Sequence, residues 1–150
     1  MKTAEELIQE QNRKLVTVSP ETTIYKALEK MIQNKIGSIL VESDGELVGI
    51  WTERDFLRNS LDSNFDPHSA VIKEYMHKDL LYANYDESIF QLMDKFLGLR
   101  VRQLLIKKGD RFIGLLSSGD VIRENLKERA AELKRLNQAF SWEYYENWNW

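Results

Sequence analysis

The chain has 150 residues, of which 43 % are hydrophobic and 30 % charged, a composition typical of a globular protein rather than a disordered one. Its formal net charge of −3 supplies no surplus of cations for an extended nucleic-acid surface, so we expect no nucleic-acid partner. The absence of cysteine excludes disulfides, thiolate metal sites and a cysteine nucleophile.

The N-terminal segment is charged and amphipathic, and residues 1–13 are predicted to form a helix. This segment lacks the apolar core of a signal peptide, and no apolar run in the chain is long enough to span a bilayer. We therefore expect a cytoplasmic protein without a membrane contact.

Residues 14–61 are predicted to form a unit with the order strand, helix, two strands and helix. The predicted positions are Leu15–Val18 for the first strand, a helix that opens at Pro20–Thr23, strands at Ile36–Glu42 and Glu46–Trp51, and a helix from Thr52. Asp44-Gly45 joins the last two strands and suits a tight hairpin, because glycine tolerates positive φ.

Residues 62–69 are polar, contain Pro67 and are predicted to be a linker. A second unit occupies residues 70–127 and is entered through a short helix at Ala70–Met76. Its predicted elements are a strand at Leu80–Ala83, a helix that opens at Asp86–Ser88, strands at Val101–Lys107 and Arg111–Leu116, and a helix from Ser117.

The two units are copies of one pattern. An offset of 65 residues places Leu15, Leu40 and Asp55 on Leu80, Leu105 and Asp120, and no insertion is needed. The stretches Leu47–Trp51 and Phe112–Leu116 are apolar on both faces, so these strands are expected to be central in their sheets. The predicted fold class is α/β, with two β-α-β-β-α repeats and a long C-terminal helix.

In each unit the third strand runs into the second helix through a glycine, two apolar residues, a hydroxyl residue, two variable residues and an aspartate. The segments are Gly49-Ile50-Trp51-Thr52-Glu53-Arg54-Asp55 and Gly114-Leu115-Leu116-Ser117-Ser118-Gly119-Asp120. A hydroxyl residue followed three positions later by an acid is a capping box, which stabilises a helix start by about 1 kcal/mol. The repetition at a strand-to-helix junction, with a glycine that leaves space beside the backbone, also indicates a ligand site.

These segments resemble the signature of the cystathionine-β-synthase (CBS) domain, which ends the third strand and opens the second helix. Val16–Thr23 and Lys35–Val41 also resemble that domain, and Val71–Met76 is similar to the usual lead into a second copy. The resemblance covers roughly Lys14 to Leu126. It implies two copies paired about a pseudo-two-fold axis, with clefts that hold AMP, ADP, ATP or another adenosyl ligand.

The resemblance also implies roles for individual residues. Asp55 and Asp120 are expected to accept hydrogen bonds from ribose hydroxyls, and Thr52 and Ser117 to contact ribose or phosphate oxygens. A carboxylate can accept from both hydroxyls of a vicinal diol, and each such bond contributes about 1.5–3 kcal/mol.

The remaining candidates surround the base and the phosphates. They are Val18, Ile36 and Gly37 beside adenine, and Lys35, Arg54, Arg58, Arg100 and Arg102 beside the phosphates. For each cation a solvated surface charge is the alternative. In the second unit Arg102 stands where Gly37 stands in the first, and its long side chain would either hold a phosphate or fill the cleft. The Thr52/Asp55 pair is therefore the stronger candidate.

The C-terminal extension, residues 128–150, continues an amphipathic helix predicted at Val121–Ala139. Six aromatic residues follow, namely Phe140, Trp142, Tyr144, Tyr145, Trp148 and Trp150. The simpler interpretation is that these rings pack on the protein's own surface or across a homodimer. The alternative is a docking tail for a separate effector protein, because aromatic residues anchor many interfaces.

The sequence contains no P-loop, no dinucleotide-binding glycine motif and no nucleophile elbow. His68 and His77 have no second ligand at metal-binding spacing, so surface or structural roles are expected. We predict no catalytic residue, no metal site and no required cofactor. The predicted function is a regulatory module that senses an adenosine nucleotide and acts on a separate protein. The alternative is a structural or interaction scaffold that has lost nucleotide binding.

Overall fold

The computed structural model describes residues 1–135. Contacts within the chain divide it into two units. The first-repeat unit is Leu15–Leu80, and the second-repeat unit joins Met1–Lys14 to the chain from Leu81 onward. Each unit therefore holds one β-α-β-β-α repeat and one lead-in segment. The lead-in segments are residues 1–14, which pack with the second repeat, and residues 70–80, which pack with the first.

The helices and strands follow the duplicated order. In chain order they are α1 (Ala4–Gln11), β1 (Thr17–Val18), α2 (Ile24–Asn34), β2 (Ser38–Ser43), β3 (Glu46–Thr52), α3 (Glu53–Asn59), β4 (Tyr82–Asn84), α4 (Ile89–Leu99), β5 (Gln103–Lys108), β6 (Arg111–Ser117) and α5 (Ser118–Arg135). The predicted α/β class, the two repeats and the long C-terminal helix are confirmed. The last predicted helical residues, 136–139, and the aromatic tail lie outside the described residues.

Each repeat forms a three-stranded sheet in which β2 or β5 is central. In both sheets the first pairing is parallel and the second antiparallel. The prediction that the strands at 47–51 and 112–116 are central is therefore wrong, since β3 and β6 are edge strands. Their apolar residues are covered by the lead-in segments instead. In the first-repeat unit His77 exchanges two backbone hydrogen bonds with Ile50, at 2.8 and 2.9 Å. In the second-repeat unit α1 contacts β6.

Local chemistry explains how the elements begin and end. Thr23 caps α2 and Ser88 caps α4 through hydroxyls that accept backbone N–H groups of the first turn. Both helices end at a residue with positive φ, Lys35 at 53° and Arg100 at 54°. The hairpin predicted at Asp44-Gly45 is confirmed, because both residues have positive φ, at 53° and 80°.

The lead-in segments contribute to the hydrophobic cores. The first-repeat core contains Ile24, Ala27, Met31, Ile39, Val41, Trp51, Ala70 and Ile72. The second-repeat core contains Ala4, Leu7, Ala83, Ile89, Leu92, Phe96, Leu104, Ile106, Leu116 and Val121. Each core thus includes two side chains from a lead-in segment.

The helix predicted at Ala70–Met76 is reduced to a single 3₁₀ turn, Ile72–Glu74. The turn keeps local backbone bonds, such as the one from the Met76 N–H to the Ile72 carbonyl at 2.9 Å. The start of the segment bonds to the first repeat: the Ala70 carbonyl accepts from the Ile24 N–H at 2.9 Å, and the Ile72 N–H donates to the Thr22 carbonyl at 2.8 Å. Pairing with the first repeat therefore takes up backbone groups that a longer helix would use.

Candidate functional site

The junction between β3 and α3 holds Asp55 through a complete capping box. The Thr52 hydroxyl accepts from the Asp55 N–H at 3.3 Å. In return, Asp55 Oδ2 accepts from the Thr52 N–H at 2.9 Å and from the Thr52 hydroxyl at 3.0 Å. The predicted capping role of Thr52 and Asp55 is therefore confirmed, and the carboxylate is fixed at the point where the edge strand ends.

A histidine covers the other oxygen of this carboxylate. His77 Nε2 lies 2.7 Å from Asp55 Oδ1. An ionised carboxylate can only accept hydrogen bonds, so the ring nitrogen donates. The Asp55 side chain is 6 % exposed whereas the His77 side chain is 55 % exposed. His77 is thus the outer member of the pair, and the sequence analysis did not connect it with Asp55.

The junction between β6 and α5 repeats the arrangement with a different covering side chain. The Ser117 hydroxyl accepts from the Asp120 N–H at 3.0 Å, and Asp120 Oδ2 accepts from the Ser117 N–H at 2.8 Å. The same oxygen accepts from Arg13 Nη2 at 2.8 Å. Arg123 Nη1 is 4.0 Å from Oδ1. The Asp120 side chain is 7 % exposed and that of Arg13 is 58 % exposed, so a lead-in segment again covers a buried aspartate.

The motif glycines face side chains of the lead-in segments. A methyl group added at Gly49 would collide with Met76, and one added at Gly114 would collide with Ile8. The expectation that these glycines leave space for a planar ligand group is therefore wrong in this structure. Their small size instead lets the lead-in segments pack closely against the edge strands.

Gly37 and Arg102 occupy equivalent positions in the two repeats, and each lies beside the junction of its own repeat. The Gly37 carbonyl accepts from the Glu53 N–H at 3.0 Å, and the Arg102 carbonyl accepts from the Ser118 N–H at 2.9 Å. Val18 and Ile36 are half-buried and pack against the first-repeat core. These two side chains therefore also contribute to hydrophobic packing.

The cations predicted to contact phosphates are all exposed, namely Lys35, Arg54, Arg58, Arg100 and Arg102. Arg54 lies in the first turn of α3 and Arg58 in its last turn. Lys35 and Arg100 end equivalent helices in the two units. Their exposure fits either a ligand contact or a solvated surface charge.

Ser38 is a polar residue that the sequence analysis did not single out. It is 3 % exposed, and its hydroxyl makes no hydrogen bond with any other residue in the described part of the chain. It lies directly opposite Thr52 in the pairing of β2 with β3. The only sequence signal was a small polar residue directly before the apolar stretch Ile39–Val41.

An open groove of about 470 Å³ lies elsewhere, at the start of α4. It is lined by Asn84, Asp86, Glu87, Gln91, Asp94 and Lys95. Three of these are acids, and the lysine already pairs with Glu87. The groove contains none of the predicted ligand residues, and its charge disfavours a phosphate.

Within residues 1–135 no helix combines the length and the apolar character needed to cross a bilayer. The same residues contain no cluster of three or more His, Asp or Glu side chains that could hold a metal ion.

The fold and the paired junctions define a class of protein: a tandem of two β-α-β-β-α repeats, each with a capped, buried aspartate where its third strand becomes a helix. The chain belongs to the CBS-domain family, whose sequence profile matches residues 4–62 and 72–127.

Curated relatives agree with this assignment. The chain is 31 % identical over 122 residues to the CBS domain-containing protein CBSX3, mitochondrial, of Arabidopsis thaliana. That match covers 78 % of this chain and 59 % of the plant protein, so the chain spans less than two thirds of that relative. It is also 27 % identical over 117 residues to the CBS domain-containing protein YhcV of Bacillus subtilis, covering 78 % of this chain and 83 % of YhcV.

Solved structures share the fold. The CBS domain NE2398 superposes with a TM-score of 0.77 at 34 % identity, covering 83 % of this chain and 98 % of that one. CBSX2 in complex with AMP superposes with a TM-score of 0.71 at 22 % identity, covering 86 % and 99 %. The CBS domain pair of MJ0100, in complex with 5′-methylthioadenosine and S-adenosyl-L-methionine, superposes with a TM-score of 0.72 at 18 % identity, covering 85 % and 98 %.

Proposed function

We propose that this chain is a regulatory module that binds an adenosine nucleotide of the AMP, ADP or ATP type and passes the signal to a separate protein. The observation that carries the proposal is the pair of buried aspartates, Asp55 and Asp120, at equivalent junctions of the two repeats. The bound AMP in CBSX2, and the bound 5′-methylthioadenosine and S-adenosyl-L-methionine in MJ0100, support an adenosine compound as the ligand.

The chemistry of the junction suits a ribose. A buried carboxylate recognises a vicinal diol strongly, because hydrogen bonds to charged groups contribute about 1.5–3 kcal/mol each. Thr52 and Ser117 add a hydroxyl beside each carboxylate. The base is proposed to lie against Val18, Ile36 and Gly37, and the phosphates beside exposed cations such as Arg54 and Arg102.

Ser38 gives independent support for a polar ligand near the first junction. A buried hydroxyl without a partner costs about 1–3 kcal/mol, and native structures contain few of them. Ser38 faces Thr52 across the sheet and is unpaired among the described residues. A ligand oxygen or nitrogen placed there would satisfy it.

Isothermal titration of AMP, ATP and S-adenosylmethionine tests the proposal. Asp55→Asn and Asp120→Asn keep the shape of the side chain and one oxygen for the cap, but they remove the charge that anchors the diol. We expect each substitution to weaken binding at its own site by about tenfold to a hundredfold, which corresponds to about 1.4–2.7 kcal/mol. Asp94→Asn, an exposed acid in the groove beside α4, is the matched control. Thermal unfolding of each variant reports whether the fold is intact.

Unchanged affinity in both aspartate variants would contradict the ribose assignment. No heat from any of the three compounds, with the fold intact, would favour the alternative, a structural or interaction scaffold. That alternative has its own support, because each carboxylate already accepts hydrogen bonds from its own chain. We expect no turnover of ATP, and phosphate release abolished by Asp55→Asn would indicate an enzyme instead.

A homodimer is part of the proposal because both units expose apolar side chains at equivalent sequence positions, in or next to their helices. The four equivalent pairs are Tyr25 with Phe90, Ile32 with Leu97, Leu57 with Ile122, and Leu61 with Leu126, and all eight residues are exposed. Repeated apolar exposure of this kind marks interaction surfaces. Sedimentation equilibrium checks this, and a monomer at all concentrations would contradict it.

The signal is proposed to reach a separate effector protein in the cytoplasm. The candidate contact is the aromatic segment from Phe140 to Trp150, which lies outside the described residues. Aromatic anchors of this density are typical of protein interfaces.

A further inference from the structure

In both units the proposed ribose carboxylate is covered by a hydrogen-bonding side chain from a lead-in segment. His77 belongs to the segment that packs with the first repeat, and Arg13 to the segment that packs with the second. The two segments differ in structure, since Arg13 follows the helix α1 whereas His77 pairs through its backbone with β3. Two unlike segments therefore bring a cationic or hydrogen-bonding group to the same position of each repeat.

The hydrogen bonds of Asp55 leave little capacity for a ligand. An ionised carboxylate has about four acceptor positions, two on each oxygen. Oδ2 accepts from the Thr52 N–H and the Thr52 hydroxyl, and Oδ1 accepts from His77 Nε2. One position remains, whereas a ribose diol has two hydroxyls. A diol therefore binds Asp55 with both hydroxyls only if His77 leaves.

Asp120 is covered in a similar way. Its Oδ2 accepts from the Ser117 N–H and from Arg13 Nη2, so this oxygen is saturated. Oδ1 is 4.0 Å from Arg123 Nη1. Oδ1 accepts no hydrogen bond from the described residues and keeps its two acceptor positions, so competition at this site rests on access: the Asp120 side chain is 7 % exposed and Arg13 lies against it.

The covering side chains are the members of each pair that can move. His77 and Arg13 are more than half exposed, whereas the two carboxylates are buried and held by their caps. Turning His77 into solvent removes its hydrogen bond to Asp55, and turning Arg13 into solvent removes its hydrogen bonds to Asp120 and Gln11.

We infer that His77 and Arg13 are internal competitors of the ligand: each occupies the carboxylate that the ribose would bind, and nucleotide binding requires its release. This inference rests on the proposed function, and it assigns to each site a regulatory residue from outside the repeat. The affinity of each site is then set by the strength of the internal contact as well as by the contacts to the nucleotide.

His77→Ala tests the inference at the first site. We expect it to tighten AMP binding by about three- to tenfold, because the ligand no longer displaces a hydrogen bond to a charged group. The titration is done in the full chain with Asp120→Asn, so that the signal reports Asp55. His68→Ala in the same background is the control, since His68 stacks on Tyr25 and does not contact Asp55.

Arg13→Ala in the Asp55→Asn background tests the second site, where we also expect tighter binding. Arg129→Ala is its control, because Arg129 is an exposed arginine of the same unit that pairs with Glu132. If His77→Ala fails to fold, His77→Phe replaces it, since the ring fills a similar volume but cannot donate a hydrogen bond to Asp55. In the wild-type chain, saturating AMP is expected to shift the ¹⁵N resonance of His77 Nε2 as its bond to Asp55 breaks.

The outcomes separate this inference from the proposed function. Tighter binding in the alanine variants, or binding that appears only in them, supports it. Equal affinity in wild type and variants overturns it and leaves nucleotide binding intact, and weaker binding overturns it by making His77 or Arg13 a ligand contact. No binding by wild type or any variant overturns the proposed function, and this inference with it.

Discussion

The two repeats hold an aspartate in nearly the same way but cover it with different residues. In the first-repeat unit the cover is an imidazole with a single donor toward Asp55, supported by backbone bonds to the edge strand. In the second it is the guanidinium of Arg13, a permanent charge on a longer side chain. The capping box fixes the carboxylate by local bonds alone, so the covering residue is free to differ. Under the proposed function, the two sites would share a ribose-binding carboxylate and differ in the strength of the contact that covers it.

The largest expected effects come from the cores, where Trp51 of the first-repeat unit stands at the position that Leu116 occupies in the second-repeat unit. Both side chains are fully buried, and Trp51 Nε1 also donates to Asn59 Oδ1 at 3.0 Å. We expect Trp51→Ala to lower the free energy of unfolding by about 3–5 kcal/mol and Leu116→Ala by about 2–5 kcal/mol. Urea denaturation measures both.

Trp51→Phe is the control, because it keeps most of the packing and loses only the bond to Asn59. It should cost less than Trp51→Ala. A loss below about 1 kcal/mol for Trp51→Ala would show that the first-repeat core does not depend on this ring, in conflict with its complete burial.

A smaller difference is expected at the caps. Thr52→Ala removes the acceptor for the Asp55 N–H and also a donor to Asp55 Oδ2, whereas Ser117→Ala removes only the acceptor for the Asp120 N–H. We expect about 1 kcal/mol for Ser117→Ala, and about 0.5–1.5 kcal/mol more for Thr52→Ala. Thr52→Ser retains both bonds and should remain close to wild type. Equal losses at the two caps would mean that the extra hydroxyl bond contributes nothing.

The smallest expected effect is on the stability of the second-repeat unit at alkaline pH. Hydrogen bonds from Lys2 to Glu10 and Glu124 raise the pKa of Lys2 above its usual value of 10.5. The stability that this charge contributes is complete below the pKa of the unfolded state and is lost as the pH rises through the higher pKa of the folded state. Lys2→Met should therefore flatten the alkaline part of the curve of unfolding free energy against pH. Parallel curves for wild type and variant would contradict this.

Much of the fold follows from local chemistry that the sequence displays. The hairpin at Asp44-Gly45 needs two residues that tolerate positive φ, and the caps at Thr52 and Ser117 need a hydroxyl three positions before an acid. Each of these features involves residues that are close together in sequence. Because the pattern is duplicated, a feature found in one repeat predicts its equivalent in the other.

The residues that cover the two aspartates, His77 and Arg13, are brought there by tertiary packing instead. His77 is 22 residues from Asp55 in sequence, and Arg13 is 107 residues from Asp120. No periodicity connects residues so far apart, and Arg13 precedes the first repeat although it packs with the second. The same packing explains why β3 and β6 are apolar at a sheet edge, and why the motif glycines contact Met76 and Ile8 rather than empty space.

Residues 1–14 precede the first repeat but pack with the second, and this arrangement affects the order in which the two units can fold during synthesis. All of Leu15–Leu80 is available once residue 80 has left the ribosome, so the first-repeat unit can fold while translation continues. Ala4 and Leu7 emerge earlier than any of it, yet their core neighbours, such as Leu116 and Val121, are made more than a hundred residues later. This segment can therefore complete its packing only after the second repeat has been synthesised.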